Sequence, residues 1–198
     1  MKFIFVVVLC YLLGSIPPSF LIGKFVKKID IRQYGSGNVG ATNTFRVLGL
    51  KAGIAVFLAD ILKGVIAVLI GRWIAGEAGA YAAGVAVIAG HNWSVFLNFK
   101  GGKGIATSFG VILIHFPVIS GILFVIGVII IAITRYVSLA SITAAVLLPI
   151  LLIVFGYRWS IVLFGLLLGS MALIRHRSNI SRLLSGRENK LGERSRVQ

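Results

Sequence analysis

The sequence predicts an all-α integral membrane protein with seven transmembrane helices, and three observations lead to this fold class. Apolar residues make up 58% of the 198 residues, and the mean hydropathy is +1.01. The 20 lysines and arginines far outnumber the five acidic residues, so that the net charge is +15. Apolar segments of bilayer-spanning length recur along the chain, and such segments must be helical because lipid cannot satisfy a bare backbone. We expect one polytopic domain over residues 1–198.

Six apolar segments follow one another along the chain. The first, 3–23, has a lysine before it like a signal peptide, but no A-x-A cleavage site follows, and we interpret it as a retained span. Residues 105–134 form either one long tilted helix or two short helices broken near Pro117, because proline cannot donate to the helical ladder and restricts Phe116 before it. The other segments are 51–71, 78–97, 137–155 and 159–174.

The distribution of basic residues favours seven helices over six. The loop after the first span and the C-terminal tail are both rich in lysine and arginine, and the positive-inside rule places both in the cytoplasm. They share that face only if 105–134 contains two short helices, the fourth and fifth, with the N-terminus outside and the C-terminus inside. We expect bilayer lipids as partners and no nucleic acid, because no basic stripe interleaved with aromatic residues occurs outside the spans.

This topology brings three polar segments, at about 30–50, 90–108 and 175–190, to the cytoplasmic face. In the first, glycines allow backbone NH groups to turn toward one anion, hydroxyl and amide side chains add neutral donors, and Arg46 could clamp a phosphate. The alternative is a simple turn between two helices, with Arg46 only marking the cytoplasmic side. The candidate catalytic residues here are Ser36 and Arg46, and the candidate substrate-binding residues are Gly35, Gly37, Asn38, Thr42 and Asn43.

The second segment contains "FKGGKGIATS", just before a helix predicted to begin near Ile105. The N-terminus of such a helix attracts anions. The segment is not a Walker A loop, because Lys103 is followed by glycine. Lys100 could instead be a snorkelling charge, and His91 is more typical of a satisfied helix-end histidine than of a base. The candidate residues are Lys100, Gly101, Gly102, Lys103 and Gly104.

The third segment spaces His176, Asn179 and Arg182 three residues apart, which would place them along one face of a helix. An amphipathic helix lying on anionic headgroups would show the same spacing. Two serines precede this segment near the inner end of the sixth helix. For Ser138 we expect packing and backbone bonding, whereas Ser141 either does the same or lines a phosphate site.

Four stretches, in order along the chain, resemble the bacterial acyl-phosphate:glycerol-3-phosphate acyltransferases, the PlsY family. They are "GSIPPSFLIGK", "GSGNVGATNTFR", "GHNWSVFLNFKGGKGIATS" and "HRSNISRLLSGRE". The resemblance implies transfer of a fatty acyl group from acyl phosphate to the sn-1 hydroxyl of glycerol 3-phosphate, giving lysophosphatidic acid, in a bacterial cytoplasmic membrane. It also implies roles in activity for Ser36, Arg46, His176 and Asn179, glycerol-phosphate binding by Gly101, Gly102 and Gly104, and a structural role for Glu188.

The residues fit this chemistry independently of the resemblance. Both substrates carry phosphate, and acyl phosphate is already activated, so the protein can act by positioning and by stabilising negative charge. We expect Arg46 and Lys103 to hold phosphate, Ser36 and glycine NH groups to support the oxyanion, and His176 with Asn179 to orient glycerol 3-phosphate. No metal cluster and no nucleotide, flavin or haem signature is present, so we expect no metal and no cofactor.

A transporter of phosphate or of a phosphorylated metabolite is the main alternative. Asp60 and Lys63 lie within the second predicted span, three residues apart and therefore on one helix face. Charges inside a membrane span are functional candidates, and a carrier would need them at the midplane. Against this, the polar segments gather at one end, no inverted repeat is visible, and the two charges can neutralise each other.

Overall fold

The computed structural model describes residues 1–192, and every regular element in that range is helical, as predicted. We number the α-helices in chain order. They are α1 Lys2–Ser15, α2 Pro18–Ile22, α3 Ala41–Leu48, α4 Leu50–Asn92, α5 Ile105–His115, α6 Pro117–Thr134, α7 Val137–Val154, α8 Trp159–Arg175 and α9 Arg177–Leu184. A π-turn over Gly23–Lys27 extends α2, and short 3-10 turns occur at Ile31–Gln33 and Val95–Leu97.

Proline and glycine explain most of the helix ends. The first predicted span, 3–23, contains a break after Ser15, because Pro17 and Pro18 have no N–H for the helical ladder. The break predicted near Pro117 is confirmed: α5 ends at His115 and α6 begins at Pro117, with Phe116 non-helical between them at φ −141°. The expected helix start near Ile105 is also confirmed.

Helix α4 is a hairpin that contains two of the predicted spans. Its backbone leaves helical geometry at Ala75 and Gly76, and Gly76 has a φ of 67°, which glycine adopts without strain. A Cβ on Gly71 would overlap the carbonyl oxygen of Gly79, so the arms on either side of the break touch through glycines. Small residues allow this close approach in lipid, where helices associate by packing. We call 50–74 the first arm and 77–92 the second arm.

By length and apolar composition, residues 1–192 contain four helices able to cross a membrane, or five if the bent pair of α8 and α9 counts as one span. The four are Lys2–Lys27, Leu50–Leu97, Pro117–Thr134 and Val137–Val154. Helix α6 has 18 residues, at the lower end of spanning length, and α5 has only 11. Together with the hairpin break this establishes a multi-pass chain, while the count of seven and the side of each terminus stay predictions.

The chain divides into two compact units, Met1–Ile114 and His115–Leu191. In the first unit, α1 packs on the second arm of α4 through Gly14 against Val87 and Gly90 against Tyr11. In the same unit, α5 packs on the first arm, where Gly110 lies against Ile61. In the second unit, α6, α7, α8 and α9 pack together, and α7 meets α8 where Gly169 touches Ala145. The single domain expected from the sequence stays a prediction.

Candidate active site

The first polar segment is a loop that Asn43 holds in shape. Asn43 is 1% exposed at the start of α3. Its side-chain oxygen accepts from the Ser36 N–H at 2.8 Å, and its amide nitrogen donates to the carbonyl oxygens of Ile31 and Tyr34 at 3.3 and 3.0 Å. Gly35 and Gly37 take left-handed φ values of 62° and 68°. The Asn43 amide is therefore engaged within the loop rather than pointing outward as a donor.

Other predicted residues of this segment remain accessible. Ser36 is exposed, and its hydroxyl makes no hydrogen bond with the described residues 1–192. Arg46 lies in the last turn of α3 and is partly exposed, as are Asn38 and Thr42. The segment therefore has an exposed hydroxyl in its loop and a partly exposed arginine in the helix that follows.

The second segment forms a tight loop over Gly101–Gly104, which we call the glycine loop. The N–H of Gly102 donates to the carbonyl oxygen of His91 at 3.0 Å. A Cβ on Gly102 would overlap His91 Nε2 and crowd the carbonyl oxygen of Val39, so this glycine has no room for a side chain. Lys100 is exposed and Lys103 partly exposed beside the buried glycines. Val39 belongs to the loop over residues 30–40 of the first polar segment, which we call the first loop. The structure therefore brings the first and second polar segments together within the first unit.

Two residues beneath the glycine loop are absent from the sequence-predicted site. His91 bonds the loop through its backbone, as described above. The side chain of Asn92 is 0% exposed and lies beside Gly104, with its oxygen 2.6 Å from where a Cβ on Gly104 would stand. Neither the amide nitrogen nor the amide oxygen of Asn92 has a hydrogen-bond partner among residues 1–192. Burying an unsatisfied amide costs about 1–3 kcal/mol, which makes Asn92 a candidate ligand-binding group.

The third segment is built around the break between α8 and α9, which are bent by 63°. His176 lies at the break, and Asn179 and Arg182 are both in α9, so the three residues do not follow one continuous helix. His176 is 3% exposed, and its Nδ1 lies 2.8 Å from the carbonyl oxygen of Ala172. A carbonyl oxygen only accepts, so a neutral His176 carries its proton on Nδ1 and keeps the lone pair on Nε2.

Glu188 organises the rest of the third segment. Its side chain is 5% exposed. One carboxylate oxygen accepts from Asn179 at 2.7 Å and from Ser138 at 2.8 Å, and the other pairs with Arg182 at 2.7 Å. Burial raises the pKa of Glu188, but the hydrogen bonds from Asn179, Ser138 and Arg182 outweigh it and hold the pKa below its ordinary value. The structural role expected for Glu188 fits these contacts.

The two serines of α7 have different partners. Ser138 donates to Glu188 rather than to backbone, contrary to the expectation of backbone bonding. Ser141 is buried and donates to the carbonyl oxygen of Val137 at 2.9 Å. Its hydroxyl thus satisfies a helix carbonyl, and its place in a phosphate site stays a prediction.

The electrostatics of the described residues favour an anionic ligand. Each of the four acidic residues in 1–192 is paired with a lysine or arginine: Asp30 with Arg32, Asp60 with Lys63, Glu77 with Arg72 and Glu188 with Arg182. Lysines and arginines therefore outnumber the carboxylates of this range, and Arg46, Lys100 and Lys103 all lie in the first two polar segments. Within 1–192 no cluster of histidine, cysteine, aspartate and glutamate side chains is arranged to hold a metal ion.

Comparisons with known proteins match nearly the whole chain. The family model described as "Glycerol-3-phosphate acyltransferase" matches residues 4–186. A glycerol-3-phosphate acyltransferase of Thermoanaerobacter pseudethanolicus is 52% identical over 191 residues, 96% of each chain. One of Alkaliphilus metalliredigens is 47% identical and covers 97% of each.

Two solved structures have the same fold. Both are crystal structures of PlsY (YgiH), an integral membrane glycerol 3-phosphate acyltransferase. The glycerol 3-phosphate form has a TM-score of 0.91 at 43% identity, and the match covers 97% of this chain and 96% of that chain. The lysophosphatidic acid form has a TM-score of 0.89 at 42% identity, covering 98% and 97%.

Proposed function

The chain belongs to the glycerol-3-phosphate acyltransferase family, and from this premise we propose that it transfers a fatty acyl group from acyl phosphate to the sn-1 hydroxyl of glycerol 3-phosphate. The products are lysophosphatidic acid and phosphate. The observation that carries the proposal is the likeness, over 97% of this chain, to a solved acyltransferase in its glycerol 3-phosphate form. We place the multi-pass chain in the bacterial cytoplasmic membrane, with seven spans, the N-terminus outside and the polar segments inside.

The glycine loop and the first loop supply the phosphate-binding groups in this proposal. They adjoin each other at Gly102 and Val39, with Lys103 in the glycine loop and Arg46 in α3, the helix that follows the first loop. Backbone N–H groups of a glycine-rich loop and a nearby guanidinium are strong partners for phosphate oxygens. Ser36, with its exposed hydroxyl, supports the negative charge that develops on the acyl carbonyl oxygen. Asn92, which lies beneath the glycine loop, donates a hydrogen bond to the bound phosphoester. This bond gives its buried amide nitrogen the partner that it otherwise lacks.

His176 orients the attacking hydroxyl. With the proton of a neutral ring on Nδ1, its Nε2 accepts a hydrogen bond from the sn-1 hydroxyl. Asn179 stands one turn further along, held by Glu188. The hydroxyl oxygen attacks the acyl carbon, the bond from that carbon to the phosphate oxygen breaks, and the hydroxyl proton leaves with the departing phosphate. No strong base is required, because the donor already carries a good leaving group.

The proposal is tested with purified protein in lipid nanodiscs, given acyl phosphate and labelled glycerol 3-phosphate. We expect equal amounts of lysophosphatidic acid and phosphate, and no product when acyl-CoA replaces acyl phosphate. Product from acyl-CoA alone would overturn the assigned donor. Uptake of glycerol 3-phosphate into proteoliposomes without acylated product would instead establish a carrier.

A further inference from the structure

Three charged or titratable side chains are buried together inside the first unit. Asp60, Lys63 and His91 have side chains that are 3%, 6% and 7% exposed. The first two lie on the first arm of α4, and His91 lies near the end of the second arm. Lys63 Nζ is 2.8 Å from Asp60 Oδ1 and 2.7 Å from His91 Nδ1, and His91 Nδ1 is 3.3 Å from the same Asp60 oxygen. We call these three residues the buried charge network.

The network also holds the end of α1. Lys63 Nζ donates to the carbonyl oxygens of Gly14 and Ile16 at 3.1 and 3.2 Å. In an unbroken helix the Gly14 carbonyl would accept from the residue four positions later, but that residue is Pro18, which has no N–H. Lys63 replaces the missing donor. With Asp60 and His91, four acceptors lie within 3.2 Å of the three N–H groups of the ammonium, so every N–H is engaged inside the protein and one is shared. This gives the intramembrane charge a role other than carrying a solute.

Lys63 also determines which nitrogen of His91 holds the proton. An ammonium group donates hydrogen bonds and has no lone pair to accept one. With Lys63 charged and His91 neutral, His91 Nδ1 at 2.7 Å is the acceptor and the ring proton is on Nε2. Nε2 lies against Gly102, where it would overlap a Cβ. The Gly102 N–H in turn donates to the His91 carbonyl oxygen, so His91 meets the glycine loop through both ring and backbone.

We propose that Asp60, Lys63 and His91 are positioning residues of the acyltransferase, which hold the glycine loop in its phosphate-binding geometry and keep the His91 ring proton on Nε2, facing Gly102. This inference rests on the proposed function for its kinetic consequence, because the glycine loop is there the binding site for glycerol 3-phosphate. The His91 tautomer and the contact of His91 with the glycine loop do not depend on the proposed function, because both can be measured without substrate.

The first test is spectroscopic and uses the unmodified protein. Uniformly labelled ¹⁵N-histidine gives ring signals for His91, His115 and His176, the three histidines of the chain. The His91 signal is identified by its loss in His91→Asn. We expect the Nε2–H tautomer in the wild type and a mixture of tautomers in Lys63→Met. An Nδ1–H ring in the wild type, or an unchanged tautomer in folded Lys63→Met, would overturn the inference.

The second test separates a positioning role from a merely structural one by kinetics. For Lys63→Met and His91→Asn we expect the KM for glycerol 3-phosphate to rise about 10- to 100-fold, with a smaller change in kcat, because the loop is displaced from the phosphate. His91→Gln keeps a polar group at the Nε2 position and should be closer to wild type than His91→Asn. A loss of kcat in proportion to the folded fraction, with KM unchanged, would overturn the positioning role.

Two further variants control for burial and folding. Asp60→Asn with Lys63→Met removes both charges together, so no unpaired charge is left buried, and it should fold better than either single variant while keeping the raised KM. Arg72→Met with Glu77→Gln removes an exposed ion pair of 2.6 Å on the same helix and should leave KM unchanged. If the wild type makes no product, the proposed function fails, whereas the tautomer experiment still decides on the network.

Discussion

Asn92 and Asn43 are two buried asparagines with opposite hydrogen-bond status. Asn43 is bonded to Ser36, Ile31 and Tyr34, whereas the Asn92 amide has no partner among residues 1–192. Replacing a bonded amide by an apolar group leaves its former partners unsatisfied, whereas replacing an unsatisfied one does not. The contrast indicates that Asn43 holds the loop in shape, and it leaves Asn92 as the residue whose role in ligand binding is to be tested.

Asn92→Leu should therefore keep the thermal midpoint of the wild type but raise the KM for glycerol 3-phosphate about tenfold, since one hydrogen bond to a charged ligand is lost. Asn43→Leu, the matched control, should lower the midpoint. Thermal unfolding and steady-state kinetics on both variants check this. A large loss of stability in Asn92→Leu with normal KM would show that the amide has a structural role.

Gly102→Ala should lower kcat/KM about 10- to 100-fold, because the new methyl group would overlap His91 and crowd Val39, and overpacking costs about 1–3 kcal/mol. Gly121→Ala provides the control, since a Cβ at that position in α6 meets nothing within 4 Å. Activity assays on the two variants make the comparison. Equal kcat/KM values for Gly102→Ala and Gly121→Ala would contradict the prediction, because they would mean that activity does not depend on the exact position of the glycine loop.

His176→Ala should raise the KM for glycerol 3-phosphate, because the hydrogen bond from Nε2 to the hydroxyl orients that substrate. His176→Gln, which keeps an acceptor near the Nε2 position, should recover part of the affinity. Initial rates over a range of glycerol 3-phosphate concentrations measure this. An unchanged KM with lowered turnover in His176→Ala would contradict the orienting role.

At the scale of elements, the chain after α9 is tied back to α7 by Glu188 and Arg135. Glu188 reaches Ser138 on α7 and Asn179 and Arg182 on α9, and the Arg135 side chain donates to the carbonyl oxygen of Leu191 at 2.8 Å. A short helix of eight residues such as α9 is not stable alone. These bonds therefore fix α9, and with it Asn179, in place.

The stability that Glu188 contributes should depend on pH in a defined direction. Its pKa is lower in the folded protein than its ordinary value of 4.5, so the contribution is complete above that value and is lost as the pH falls through the folded pKa. The difference in thermal midpoint between wild type and Glu188→Gln should be about 2–8 °C near pH 7, for about 1–2 kcal/mol. It should shrink as the pH drops below 4.5.

Thermal scans from pH 7 down to about pH 3 measure this difference. Glu77→Gln serves as the control, since the Glu77 side chain is 63% exposed in its pair with Arg72 and should contribute little at any pH. A difference in thermal midpoint between wild type and Glu188→Gln that grows as the pH falls would contradict the predicted loss of stability at low pH.

On the scale of the whole molecule, the excess of positive charge predicts the membrane topology. In a Cys10→Ala background, Gln33→Cys and Ser185→Cys place thiols at exposed positions of the first loop and the tail, and Arg158→Cys places one on the predicted outer side. An impermeant maleimide should label Arg158→Cys in intact cells, and the other two only after permeabilisation. Labelling of Ser185→Cys in intact cells would place the tail outside and exclude a shared cytoplasmic site.

Much of the fold follows from local chemistry that is readable along the chain. Pro117 breaks the segment 105–134 as predicted, and glycine-rich, lysine-bearing segments stand at the ends of helices. The break at His176 was not predicted, because "IRHRSNI" contains neither proline nor glycine and its spacing is regular. At that point α9 packs against both α7 and α8, contacts between distant parts of the chain that no local pattern reveals.

The sequence by itself determined the all-helical membrane class, the family and the polar segments, because hydropathy, charge and glycine spacing are properties of neighbouring residues. Only the tertiary structure decided the partners of the buried groups: Lys63 with His91 across 28 positions, Glu188 with Ser138 across 50, and Asn92 with none among residues 1–192. A hydrogen bond or an ion pair depends on ångström distances between residues far apart in the chain. Those distances are set by how the helices pack.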